Sequence, residues 1–246
     1  MLTATVVNCS IRYPDRPWWD APAAAARDGY PAVEFWWPFA GPVASDADVR
    51  RLGDALHDAG VRLVAINTFA GDLAAGERGI LSHPHRVSEV RENAGSVARI
   101  DRELGSRLHN VLYGERLDGV PAAAQDDTAA ANLAYLRDTI PTPLLEPLSG
   151  TRPDYPVRTA DQAAAVADRV GGGVGLLADL YHLTANGLDV THTLRTHVGR
   201  IAHVQVADWP GRHRPGTGRI PIADHLALLE ELGYQGLVAD EYAPLE

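Results

Sequence analysis

The chain has 246 residues, 46% of them hydrophobic, a formal net charge of −10 and a single cysteine. This length and apolar content suit one domain over residues 1–246, the charge argues against a general affinity for nucleic acid, and the lone Cys9 excludes an intrachain disulfide and a cysteine-rich zinc site. All 22 basic residues are arginine, so Schiff-base aldolase chemistry, lysine-anchored pyridoxal phosphate and a phosphate-loop lysine are excluded too.

Taken in order, short apolar runs alternate with alanine-rich helical patterns. Strands are expected near Thr5–Ile11, Ala32–Phe35, Arg62–Asn67, Leu108–Leu112, Pro143–Glu146, Val174–Asp179, Ile201–Val206 and Gly236–Glu241. Helices are expected near Trp18–Asp28, Asp46–Ala59, Val87–Leu104, Ala122–Thr139, Ala160–Arg169, Val190–His197 and Ile222–Glu231. Glycines at 29, 60, 105 and 233 stand where helices end before the next strand. Strand-then-helix alternation repeated to a count of eight strands predicts a (β/α)8 TIM barrel, with a short or missing eighth helix after Glu241. The glycine-rich stretch from Phe69 to Pro84 reads as a mobile loop over the site. No apolar run reaches the roughly 18 residues of a membrane span, and the N-terminus lacks a basic region followed by a signal-type segment. The expectation is a cytoplasmic protein without a membrane partner.

Four strands end in oxygen-bearing side chains: Glu146 in LLEP, Asp179 in LLADLYH, Gln205 in HVQVAD and Glu241 in ADEYAP. Each follows the last by about one βα unit, which puts all four at one rim of a barrel. Alone, such a residue is usually a helix cap, a solvated loop residue or a satisfied core amide. Three carboxylates together repel unless a cation lies between them, and a set of hard oxygen donors favours Mg²⁺ or Mn²⁺ over Zn²⁺. Near them, His182 and Arg212 are candidate substrate contacts, with a structural histidine and a surface arginine as the bland alternatives. Glu34, ending the second strand, is a substrate-side group that orients a partner; Trp36, Trp37 and Phe39 wall the pocket or pack the barrel mouth. Gly173 to Ala178 has dinucleotide-type glycine spacing but starts a strand, so no nucleotide or flavin cofactor is expected. His83 and His85 read as solvated, and Cys9 as a buried structural thiol.

VEFWWPF, AGDLAAGERGI, LEP, DLYH, HVQVAD with PGTG, and EYAP together resemble the hydroxypyruvate isomerase family, a branch of the xylose isomerase-like barrels, over nearly the whole chain. The resemblance implies metal-assisted aldose–ketose isomerisation with Glu146 and Glu241 as the catalytic pair, Asp179 and Gln205 completing the metal set, and His182 and Arg212 near substrate. The chain departs from the family at Ala243, where lysine is frequent, at Arg214 and Arg219, where acids are frequent, and at Ser149, where asparagine is common. The leading expectation is interconversion of hydroxypyruvate and 2-hydroxy-3-oxopropanoate (tartronate semialdehyde) through an enediolate. The alternatives are isomerisation or epimerisation of a 2-oxo-tetronate or ketose, motivated by Arg214 and Arg219, then metal-dependent hydrolysis of damaged DNA, then a non-catalytic binding barrel. The uncovered flank left by a missing eighth helix favours a homo-oligomer.

Overall fold

The computed structural model describes residues 2–244. The elements run β1 (Val6–Asn8), α1 (Cys9–Arg12), α2 (Ala21–Arg27), β2 (Ala32–Phe35), α3 (Asp46–Ala59), β3 (Arg62–Ile66), α4 (Val87–Leu104), β4 (His109–Val111), α5 (Ala122–Thr139), β5 (Pro143–Leu145), α6 (Ala160–Asp168), β6 (Gly175–Asp179), α7 (Leu180–Ala185), α8 (Val190–His197), β7 (Ile201–Val206), α9 (Ile222–Glu231) and β8 (Leu237–Asp240). All strand pairs are parallel, in the order β3-β2-β1-β8-β7-β6-β5-β4. The two ends of that order meet through a parallel bridge between Ala65 and Leu108, with Ile66 N donating to Leu108 O at 3.0 Å and Thr68 N to Asn110 O at 2.8 Å. The sheet is therefore a nearly closed barrel ringed by helices, as the strand–helix alternation predicts.

Strands buried on both faces need unbroken apolar runs rather than alternation, which is why RLVAI and GLLAD are nearly continuous. The helices instead bury one stripe: α3 turns Val49, Leu52 and Leu56 inward and starts on a capping box in which Ser45 and Asp48 satisfy each other's backbone N–H groups. Its C-cap, Gly60, has φ 67°, the left-handed conformation expected of a helix-ending glycine.

Three local differences from the expected elements carry physical reasons. The first strand stops at Asn8 instead of reaching Ile11, because the Asn8 side chain accepts from Ser10 N at 3.1 Å and caps α1. The helix α7 is an extra element: Asp179 Oδ1 accepts from Tyr181 N at 2.7 Å and starts a turn directly off β6. Finally, the stretch read as a mobile loop is pinned. Gly79 N donates to Ala70 O at 2.9 Å, Ser82 N to Tyr113 O at 2.9 Å, and Asn132 Nδ2 to Leu81 O at 2.8 Å. The first of these bonds closes the stretch on itself, and the other two tie residues 81 and 82 to neighbouring elements and must break before that end lifts.

Residues 241–244 are not helical, and the remainder of the region expected to hold a short eighth helix lies outside the described residues. Among the described residues no helix is long and apolar enough to cross a membrane.

Candidate active site

The carboxyl ends of β5, β6, β7 and β8 deliver Glu146, Asp179, Gln205 and Glu241 to one rim, where all four are buried. Asp179 and Gln205 are direct register partners across β6 and β7, and Glu241 N donates to Val206 O at 3.0 Å, one step beyond Gln205. Glu146 and Asp179 have ligand atoms within 4.8 Å of each other and of the His182 ring. His182 Nε2 lies 3.6 Å from Asp179 Oδ2 and 3.8 Å from Glu146 Oε1. An imidazole beside the acids was not foreseen in the ligand set; α7, started by Asp179 itself, turns the ring back over them.

Arg212 is the cation of this cluster. Its Nη2 donates to Asp179 Oδ2 at 3.1 Å and to Glu241 Oε2 at 2.5 Å. The residue sits at φ 57°, a left-handed conformation that costs an L residue about 1–2 kcal/mol. The loop enforces it: Ala243 N donates to Arg212 O at 2.8 Å and Asp208 N to His213 O at 2.8 Å. Three buried acids against one guanidinium leave excess negative charge. Burial, and then the neighbouring Asp179, push Glu146 up to about 8, against the pull of Arg212 and of Asn110. Glu241 is raised for the same first reason; Arg212 opposes, and Asp179 and Glu146 add to the rise. Burial lowers His182 to about 4, so its ring is neutral at physiological pH. Ser149 presents its backbone N–H at 3.0 Å and its hydroxyl at 2.7 Å to His182 Nδ1. With Nδ1 accepting, the proton is assigned to Nε2, facing the acids.

These residues fit a divalent cation on an observation independent of charge. Gln205 Nε2 donates to Glu34 Oε1 at 2.5 Å, which leaves Gln205 Oε1 buried without any hydrogen-bond partner. A buried amide oxygen costs free energy unless something meets it, and a hard cation among carboxylates does so.

Glu34 does not line the cavity. Its two oxygens accept from Asn8 Nδ2 at 3.0 Å, Gln205 Nε2 and His203 Nε2 at 2.6 Å, so its acceptors are taken up by three buried donors beneath the cavity. Asn8 also donates to Glu241 Oε1 at 2.9 Å, Trp36 Nε1 to the same oxygen at 2.8 Å, and Asn110 Nδ2 to Glu146 Oε2 at 2.6 Å. Asn8 and Asn110 were not singled out from sequence, although the strand-end rule that found Gln205 applies to both. Trp37 and Phe39 stack edge to face at 5.0 Å beside the site rather than in it.

Above the acids opens a cavity of about 330 Å³, walled by Trp36, Asn67, Leu73, Arg78, Leu112 and Tyr181 among others. This size suits a small molecule. Arg214 and Arg219 lie outside it: Arg219 stacks over Trp209 at 5.8 Å, and Arg214 lines a separate groove with Asp240 and Tyr242.

A model of the xylose isomerase-like TIM barrel family matches residues 22–245. The chain belongs to that family. A Streptomyces coelicolor member named "Putative hydroxypyruvate isomerase" is 42% identical over 97% of this chain and 90% of its own length. A Cupriavidus necator member named "2-oxo-tetronate isomerase" is 31% identical over 96% of this chain and 91% of its own. Among solved structures, an AP endonuclease, family 2, from Brucella melitensis superposes with a TM-score of 0.89 at 29% identity, covering 99% of this chain and 95% of that one. The family resemblance read from the strand-end motifs is borne out, and by its relatives this family member is an isomerase-type enzyme.

Proposed function

We propose that the chain interconverts hydroxypyruvate and 2-hydroxy-3-oxopropanoate, with Glu146 and Glu241 moving the proton. The observation that carries this reading is a pair of buried glutamates on strand ends three positions apart around the barrel, both raised in pKa and both lining one small-molecule cavity. A general base works best when its pKa is raised toward the working pH, and burial raises both glutamates in that direction in the metal-free site. One glutamate takes a proton from the hydroxymethyl carbon beside the ketone, and a proton returns to the neighbouring carbon. His182, neutral with Nε2–H turned to the acids, donates to a substrate oxygen, while Arg212 offsets the charge of Asp179 and Glu241. Glu146, Asp179, Gln205 Oε1 and Glu241 would hold a divalent cation, Mg²⁺ or Mn²⁺ on the oxygen-rich donor set, with His182 adjacent. Such an ion supplies polarisation of two neighbouring substrate oxygens, which lowers the cost of an enediolate by several kcal/mol.

The S. coelicolor relative supports the substrate by its name. The test is exchange of the C3 protons of hydroxypyruvate with deuterated water on Mn²⁺-loaded protein, with product followed in parallel. Absence of both ends the reading.

A four-carbon 2-oxo-tetronate is the second reading. A neighbouring cavity of about 420 Å³ shares Asn67 and Leu73 with the first and offers room beyond three carbons, and the C. necator relative carries that substrate in its name. Relative turnover of three-, four- and six-carbon substrates decides between them. Hydrolysis of damaged DNA fits less well: the cluster of potential ligands among the described residues holds one histidine, and the chain carries a net charge of −10. Nicking of abasic DNA checks it.

A further inference from the structure

If the substrate is a 2-oxo acid, its carboxylate approaches a floor built of Glu146, Asp179 and Glu241. Arg212 is less well placed to receive it, because its Nη2 is already shared between Asp179 and Glu241 and its Nε is buried without a partner, so its charge is committed to two acids and only Nη1 is left to face the cavity. The other arginine lining the cavity is Arg78.

Arg78 is presented by backbone rather than by chance. Its Nη1 donates to Leu73 O at 3.1 Å and to Glu77 O at 2.7 Å, which fixes the guanidinium through main-chain carbonyls and leaves its charge uncancelled by any acid within ion-pair distance among the described residues. Its own carbonyl accepts from Tyr155 Oη at 3.1 Å. The next residue, Gly79, pairs with Tyr113 at φ 109°, so close to the Leu112 carbonyl that a Cβ would collide with it. Among the described residues, Arg78 Nη2 and Nε make no hydrogen bond, and neither is sealed from solvent, in a residue that lines the cavity. A fixed guanidinium with a free N–H edge, in a site otherwise rich in acids, is the arrangement that binds a carboxylate.

We propose that Arg78 is the receptor for the substrate carboxylate and thereby selects 2-oxo acids over neutral ketoses. This deepens the proposed function and rests on it. The test compares wild type, Arg78→Gln and Arg78→Lys, all Mn²⁺-loaded, on hydroxypyruvate and on dihydroxyacetone, which replaces the carboxylate by a hydroxymethyl group. The expected result is a fall of about 10- to 100-fold in the ratio of kcat/KM for the acid over the neutral ketose in Arg78→Gln, carried mainly by KM, with Lys recovering part of it. Equal losses on both substrates, or none on the acid, overturn the proposal. If wild type turns over neither compound, the proposed function fails separately. Calorimetric affinity for hydroxypyruvate then decides the role of Arg78: weaker binding to Arg78→Gln than to wild type upholds it, and equal affinity overturns it.

Discussion

Gln205 and Glu34 are joined by a hydrogen bond of 2.5 Å from Nε2 to Oε1, and that bond occupies the amide nitrogen while the buried amide oxygen is left without a partner. Glu34 is itself held by His203 and Asn8, so the orientation is set by a buried polar network beneath the site. Glu34→Gln keeps the volume but removes the charged acceptor. It is expected to weaken Mn²⁺ affinity by about 10- to 100-fold, the usual effect of losing such an orienting partner. Calorimetric titration of metal-free protein measures it, and unchanged affinity removes Glu34 from this role.

The glutamate pair makes the sharpest kinetic statement. Glu146→Gln and Glu241→Gln are each expected to lower kcat by roughly 10²- to 10⁴-fold, the range of general acid–base catalysis, with circular dichroism unchanged. Intact turnover in both variants removes the catalytic assignment.

The pH dependence of metal-free protein follows from the same two residues. Burial first, then like charge from Asp179, holds Glu146 at about 8 against its ordinary 4.5, and Glu241 is raised too. A carboxyl raised on folding binds more protons folded than unfolded between those two values, so stability falls as pH rises through that window. Tm of metal-free protein is therefore expected to fall between about pH 5 and pH 8, and Mn²⁺ binding near neutral pH is expected to release protons. Scanning calorimetry across pH, and titrations in buffers of different ionisation enthalpy, check both.

Asp208 acts with the opposite sign. Burial alone raises its carboxyl, but backbone N–H groups of Ile220, Gly218, Gly216 and Trp209 outweigh burial and hold it below its ordinary value. Three of those bonds measure 2.9 Å. This contribution is present above the unfolded pKa and is lost as pH falls through the depressed one. Asp208→Ala strands several buried N–H groups, each worth about 1–3 kcal/mol, and is expected to cost roughly 2–4 kcal/mol in denaturant melts. Because the same loop carries Arg212, activity is expected to fall with it.

Much of the architecture was legible because parallel barrels impose a simple code. Helices such as Asp46–Ala59 and Val87–Leu104 match their expected bounds, since a buried stripe and a terminal glycine are both local signals. Two short helices, α1 and α7, were missed because each begins on an Asn8 or Asp179 side chain whose capping bond competes with strand continuation. Arg214 and Arg219, read as possible substrate contacts, lie outside the cavity because the loop that turns Arg212 inward turns them away.

By itself the sequence determined the barrel and the four strand-end groups Glu146, Asp179, Gln205 and Glu241, because strand–helix alternation forces successive strand ends to one rim. It also determined that no lysine takes part. Only the tertiary structure decided which atom of each group is free. The partners that occupy Gln205 Nε2, both oxygens of Glu34 and Arg212 Nη2 come from strands and loops distant in the chain, and no spacing encodes them. The guanidinium of Arg78, with no acid at ion-pair distance among the described residues, belongs to the same category.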